Sequence, residues 1–132
     1  MSNNKKAIIR RGDIILVSLG ENKIGSIQAG TRPMLVVSNN RANRHSTILL
    51  VVPLSTKKLP LDRVLPTHIS ITNQSLQEGT LLKESTIMCE QLTVIDREMV
   101  IRRIGTISEK TDNKLKEALL IALGIINAPE SA

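Results

Sequence analysis

Ile48-Leu49-Leu50-Val51-Val52-Pro53-Leu54 is the stretch that decides the fold. It has no polar position and holds a proline near its end. It is far too short to span a membrane. A short continuous apolar run of this kind reads as a central strand covered on both faces. Upstream, Asp13 to Leu19 is rich in Ile and Val and reads as a strand. Met34 to Ser38 reads as a second strand, with Pro33 at its first residue, where a missing N–H is tolerated. Between them Gly20 to Gly30 is a loop of Gly, Asn, Ser and Gln, longer than a hairpin needs, and long loops in compact domains are often functional. Asn39 to Ser46 is polar and reads as a turn or one short helical turn.

Downstream, Lys57 to Pro66 is a basic loop with two prolines, and Thr67 to Ile71 alternates His68 and Ser70 against Thr67, Ile69 and Ile71, as a half-buried strand does. Thr86 to Leu92 and Ile101 to Ile107 are further strands, with a short turn or helix around Asp96 to Met99. Ser108 can then cap a helix with Glu109 in its first turn. Leu115, Ala118, Leu119, Ala122, Leu123 and Ile126 follow at helical spacing, up to Asn127 and Pro129. The pattern predicts a mainly β chain: five to seven short strands in a small curled or partly closed barrel, with an amphipathic C-terminal α-helix against its outside. No repeat or linker divides residues 1–132, which predicts a single domain.

Composition narrows the function. The 132 residues carry 18 Lys and Arg against 12 Asp and Glu, a net charge of +6, and contain no Phe, Tyr or Trp. Leu, Ile and Val make up about a third of the chain, which excludes intrinsic disorder. Stacking of bases on an aromatic face is excluded as well. One cysteine, Cys89, permits no disulfide framework, and with two distant histidines, His45 and His68, it builds no Cys/His metal site. Met1 to Arg11 has no long apolar run and is not a signal peptide, so a soluble cytoplasmic protein with no membrane partner is expected. Charge is uneven: residues 1–66 hold 11 basic and 3 acidic residues, whereas residues 67–132 hold 7 and 9. A basic first half suits a polyanionic partner, the alternative being a merely solvated basic surface.

Several segments together resemble one family. Arg11-Gly12-Asp13 before a hydrophobic strand, Gly25-Ser26-Ile27-Gln28-Ala29-Gly30-Thr31-Arg32-Pro33, and Val36-Val37-Ser38-Asn39-Asn40 followed by Asn43-Arg44 are similar to the opening of MazF/PemK toxins of type II toxin–antitoxin systems. Val52-Pro53-Leu54-Ser55-Thr56, Leu65-Pro66-Thr67-His68-Ile69 and Cys89-Glu90-Gln91-Leu92 continue the series in the same order. The resemblance covers about Arg10 to Ile126. It implies an SH3-like, CcdB/PemK-type barrel and a homodimer. It also implies a metal-independent, sequence-selective endoribonuclease acting on single-stranded RNA without a cofactor. A small cognate antitoxin with an acidic tail is the implied partner. Two other functions share this fold: a CcdB-like gyrase poison, whose C-terminal Trp-Gly-Ile end is absent here, and a catalytically silent nucleic-acid-binding barrel.

The resemblance assigns Arg32 as the phosphate-clamping group; its guanidinium fork binds two phosphate oxygens at once. Ser55 matches the family's Thr/Ser at the end of the third strand, where a hydroxyl can donate to the phosphorane or relay a proton. Thr56 is the alternative by a one-residue shift, and strand alternation would let only one of the two face the site. His68 has a suitable intrinsic pKa for the general base, with His45 a weaker candidate. Gln28, Asn39 and Gln91 carry amides able to read base edges, while Arg44, Lys57 and Lys58 can track phosphates. Many family members carry Glu where this chain has Ile27, a departure that bears on activity or site preference.

Overall fold

The computed structural model describes residues 8–20 and 30–129. Gln28, Ile27 and most of the loop between Gly20 and Gly30 lie outside the described residues. The described chain forms β1 (Asp13–Ser18), β2 (Thr31–Val36), α1 (Asn40–His45), β3 (Ile48–Ser55), β4 (His68–Ile71), β5 (Leu76–Gly79), β6 (Ser85–Met88), β7 (Thr93–Asp96), β8 (Val100–Ile107) and α2 (Glu109–Ala122). The strands make one antiparallel sheet in the order β4-β6-β3-β2-β1-β8-β5, with β7 also paired to β3.

β3 organises the sheet through its proline. Val37 donates its N–H to Leu50 O, so Leu50, Val52 and Leu54 direct their backbone groups toward β2. Pro53 therefore points its missing N–H to the other side. There β3 pairs with β7 as far as Val51–Thr93 and with β6 from Leu54–Ile87 onward. The proline occupies the gap between two partner strands, where no ladder bond is lost. Pro33 is handled the same way. It lies inside β2, two residues beyond the strand's start at Thr31, rather than at its first residue as the sequence suggests. Gly12 donates to Val36 O on the β1 side, so Pro33 faces β3, and the β2–β3 register begins only at Met34.

The curled sheet buries both faces. Ile14, Leu35, Val52, Leu54, Ile69 and Ile87 pack with Leu115 and Ala118 of α2. Ile15, Val17, Met34, Val36, Leu49 and Val51 pack with Ile95 in a second cluster. β3 thus feeds alternate residues into two cores. Double coverage does not reach its start: Ile48 and Leu50 are 46% and 38% exposed, beside an exposed Val94 in β7. Edge strands β5 and β7, four residues each, escape the sequence reading and raise the count to eight among the described residues. Their positions are mostly exposed and carry no apolar run. β6 ends at Met88, and Cys89–Gln91 form a 3₁₀ turn rather than more strand. α2 is capped by Ser108, which accepts from Thr111 N–H. It stops at Ala122, earlier than Asn127. Gly124, at φ +75°, donates to Ile121 O and Ile125 donates to Leu120 O, a Schellman ending that a left-handed glycine permits.

Candidate nucleic-acid cleft

The register of β2 on β3 runs Met34–Pro53, Leu35–Val52, Val36–Val51. Carried two residues outward, it sets Arg32 across from Ser55. Ser55 pairs with Thr86 of β6, and Thr86 pairs with Ser70 of β4. Directly opposed residues share a face of a sheet, so Ser55, Thr86 and Ser70 make one polar row across three adjacent strands, and the extended register aligns Arg32 with its β3 end. The apolar rows behind it belong to the core.

Beside this row opens a cavity of about 440 Å³. The hydroxyl-bearing residues Ser55, Thr56, Ser70, Thr72 and Thr86 line it, together with Lys57, Lys58 and Lys83 and one acidic residue, Glu84. Both Ser55 and Thr56 border it. β3 ends at Ser55, and the chain turns there: Lys57 donates its N–H to Ser55 Oγ at 3.1 Å. That bond occupies a lone pair and leaves the Ser55 proton for an acceptor in the cavity.

His68 is differently placed. Its side chain is 5% exposed, Nδ1 accepts the Leu65 N–H at 3.1 Å, and Nε2 lies 2.9 Å from Glu90 Oε2. An Nδ1 that accepts is bare, so Nε2 carries the proton and donates to Glu90. Neither nitrogen keeps a lone pair to take a proton from a 2′-hydroxyl, which corrects the expectation of a general base here. Burial pushes the Glu90 carboxyl up, but hydrogen bonds from Thr67 and His68 outweigh it and hold the group below the usual range. The Cys89 thiol is buried, and desolvation, aided by the Glu90 charge, pushes it up to about 12.

Among the described residues, no group of three His, Cys, Asp or Glu could hold a metal ion, and no helix is long and apolar enough to cross a membrane.

Residues 10–123 match the family of PemK-like, MazF-like toxins of type II toxin–antitoxin systems. The chain belongs to this family. It is 31% identical over 120 residues to "Endoribonuclease EndoA" of Bacillus subtilis, covering 91% of this chain and 98% of that one. Among solved structures, a mycobacterial endoribonuclease in complex with its cognate antitoxin superposes with a TM-score of 0.71 at 25% identity, covering 89% of this chain and 97% of that one. The MazE–MazF complex of Deinococcus radiodurans shares the fold at a TM-score of 0.68 and 15% identity, covering 91% and 99%.

The remaining PemK/MazF-derived expectations divide by position. Asn39 and Arg44 sit at the β2–β3 connection, at the far end of both strands from Arg32 and Ser55. β3 has eight residues, and at about 3.3 Å per residue this puts them roughly 20 Å away. Asn39 is the N-cap of α1 and accepts from Ala42 N–H at 2.8 Å. Arg44 borders a separate cavity of about 480 Å³ with Arg10, His45 and Arg97. Gln91 lies in the 3₁₀ turn and points Nε2 at Met88 Sδ, 3.6 Å away. Thr86, Ser70, Thr72 and Lys83 line the same cavity and are not singled out by the sequence. Hydroxyls at alternate strand positions look like any solvent-facing residues, and only cross-strand register gathers them.

Proposed function

We propose that this chain is the toxin of a type II toxin–antitoxin system: a sequence-selective, metal-independent endoribonuclease that cleaves single-stranded RNA, mRNA above all, and so halts translation and growth. The observation that carries this reading is the alignment of Arg32 with Ser55 beside a hydroxyl-lined, lysine-rich cavity, in a chain of the PemK/MazF family. RNA supplies its own nucleophile. The 2′-hydroxyl loses its proton to solvent water as its oxygen attacks the adjacent phosphorus, negative charge builds on the phosphorane, and the bond to the 5′-oxygen breaks as that oxygen takes a proton from solvent to leave as a hydroxyl. Arg32 clamps the phosphoryl oxygens through paired N–H groups. Ser55 donates a hydrogen bond to a phosphorane oxygen and keeps its proton, and Lys57, Lys58 and Lys83 supply positive charge where negative charge develops. Cations already in place do this electrostatic work without a metal. Gln28 and Gln91 remain the amides proposed to read bases.

A homodimer is the working unit in this reading, with a cognate acidic antitoxin as its regulator in the cytoplasm. Incubating the purified protein with long RNA in EDTA should give discrete fragments ending in a 2′,3′-cyclic phosphate, with 5′-hydroxyl partners. Intact RNA at stoichiometric protein overturns the proposal.

A further inference from the structure

The loop from Lys57 to Pro66 brings two cavity-lining lysines, Lys57 and Lys58, to the cleft, together with Val64. Its start is tied down by the Lys57 N–H on Ser55 Oγ. Among the described residues its middle is held by a hydrogen bond within the loop, Arg63 N–H to Pro60 O at 2.8 Å. Its end is the turn Leu65-Pro66-Thr67-His68, closed by the His68 N–H on Leu65 O at 2.9 Å. Proline at the second position pre-sets such a turn. The His68 ring then reaches back over the turn, and Nδ1 takes the Leu65 N–H at 3.1 Å. Both backbone groups of Leu65 are therefore held by one residue.

The ring is itself gripped. Glu90 accepts from Thr67 Oγ1 through Oε1 at 2.7 Å and from His68 Nε2 through Oε2 at 2.9 Å. Cys89 N–H on Thr67 O, 3.0 Å, fixes the same 3₁₀ turn to the loop's end. The Leu65 N–H pointing at Nδ1 requires that nitrogen bare, and the carboxylate at Nε2 takes the ring's proton there, so the contacts select the neutral Nε2–H form. We propose that His68 is a positioning residue: locked by Glu90 in its Nε2–H form, it fastens Leu65 and so holds the lysine-bearing loop 57–66 in place to receive RNA. The inference rests on the proposed ribonuclease reading for its substrate, but not for its geometry.

Two substitutions separate the roles of the ring nitrogens. Asn carries an acceptor oxygen near the Nδ1 position and cannot reach Glu90; Gln carries a donor near the Nε2 position and leaves Leu65 without an acceptor. In NMR-detected hydrogen exchange on the full chain, the Leu65 amide should exchange about tenfold faster in His68→Gln than in wild type, the effect of one lost hydrogen bond. It should stay protected in His68→Asn. KM for RNA should rise about as much in the Gln variant while kcat holds, and the Asn variant should restore KM. If wild type leaves RNA intact, the ribonuclease reading fails by itself, and the exchange pattern together with RNA affinity of the three proteins still decides this inference. Equal Leu65 protection in both variants overturns it, as does loss of that protection in the Gln variant with no change in KM or RNA affinity. A kcat lost equally in both variants would make His68 catalytic and overturn it too.

Discussion

The two ends of the β2–β3 pair are both polar, and they use their polar groups in opposite ways. At the α1 end Ser38, Asn40 and Asn43 are spent on one another and on the backbone, although Arg10, Arg44, His45 and Arg97 border a cavity there too. Ser38 donates to Asn43 Oδ1 at 2.5 Å, Asn43 returns Nδ2 to Ser38 O at 2.9 Å, and Ser38 Oγ also takes the Leu50 N–H. Asn43 is 1% exposed. Asn40 takes the Arg11 N–H, and Arg11 pairs with Asp112 of α2. At the other end Ser55 accepts one local bond, and its neighbours Thr56, Thr86, Lys57 and Lys58 border open space. Polar groups that satisfy each other hold a fold; polar groups that leave donors facing a cavity are available to a ligand.

Substitutions at the two ends should therefore fail differently. The largest effect is expected for Arg32→Ala, which should lower single-turnover RNA cleavage by about 10²–10³-fold or more while the domain stays folded by circular dichroism, since it removes transition-state charge stabilisation. An undiminished rate would remove Arg32 from the chemistry. Ser55→Ala should cost about 10²-fold, and Thr56→Ala less, with Ser55→Thr restoring the rate; the reverse order would move the donor to Thr56. Asn43→Ala should do the opposite. It should cost about 2 kcal/mol in denaturant unfolding because Ser38 loses a buried partner, with cleavage per folded molecule unaltered. Asn39→Ala should cost about 1 kcal/mol as a lost helix cap, and cleavage-site mapping on a mixed transcript pool should show no change in preferred bases. A changed preference would return Asn39 to the RNA interface.

The smallest effects concern titration near the 3₁₀ turn. Cys89, with its thiol pushed up to about 12, should resist iodoacetamide at neutral pH in the folded protein and react only after denaturation. Glu90 sits below its ordinary 4.5, so its contribution to stability is present above that pH and fades as pH falls through the lower folded value. Wild type and Glu90→Gln should therefore differ in Tm at pH 6 and converge in strong acid. A difference independent of pH would show that shape, not charge, matters at that position.

Local periodicity carried most of the fold. β1, β3, β4, β8, α1 and α2 were legible because each places apolar or capping residues at a repeat the chain itself displays. β5 and β7 were not, since a four-residue exposed edge strand owes its conformation to a partner strand. The helix ends earlier than apolar spacing indicates because Leu123 and Ile126 keep the helical spacing beyond Ala122. The Schellman closure depends on backbone angles rather than on apolar spacing.

The sequence by itself determined an aliphatic β-rich chain with a basic first half, and its ordered motifs singled out Arg32 and Ser55 as candidates. Tertiary structure alone decided which polar residues are spent and which are offered. Register joins Thr86 and Ser70 to that pair across strands far apart in sequence, and it puts Asn39 and Arg44 at the opposite end. His68 changes from a base to a clasp because its two nitrogens meet Leu65 and Glu90. A side chain's intrinsic chemistry is written in its residue type, but which of its donors and acceptors remain free depends on neighbours that only folding supplies.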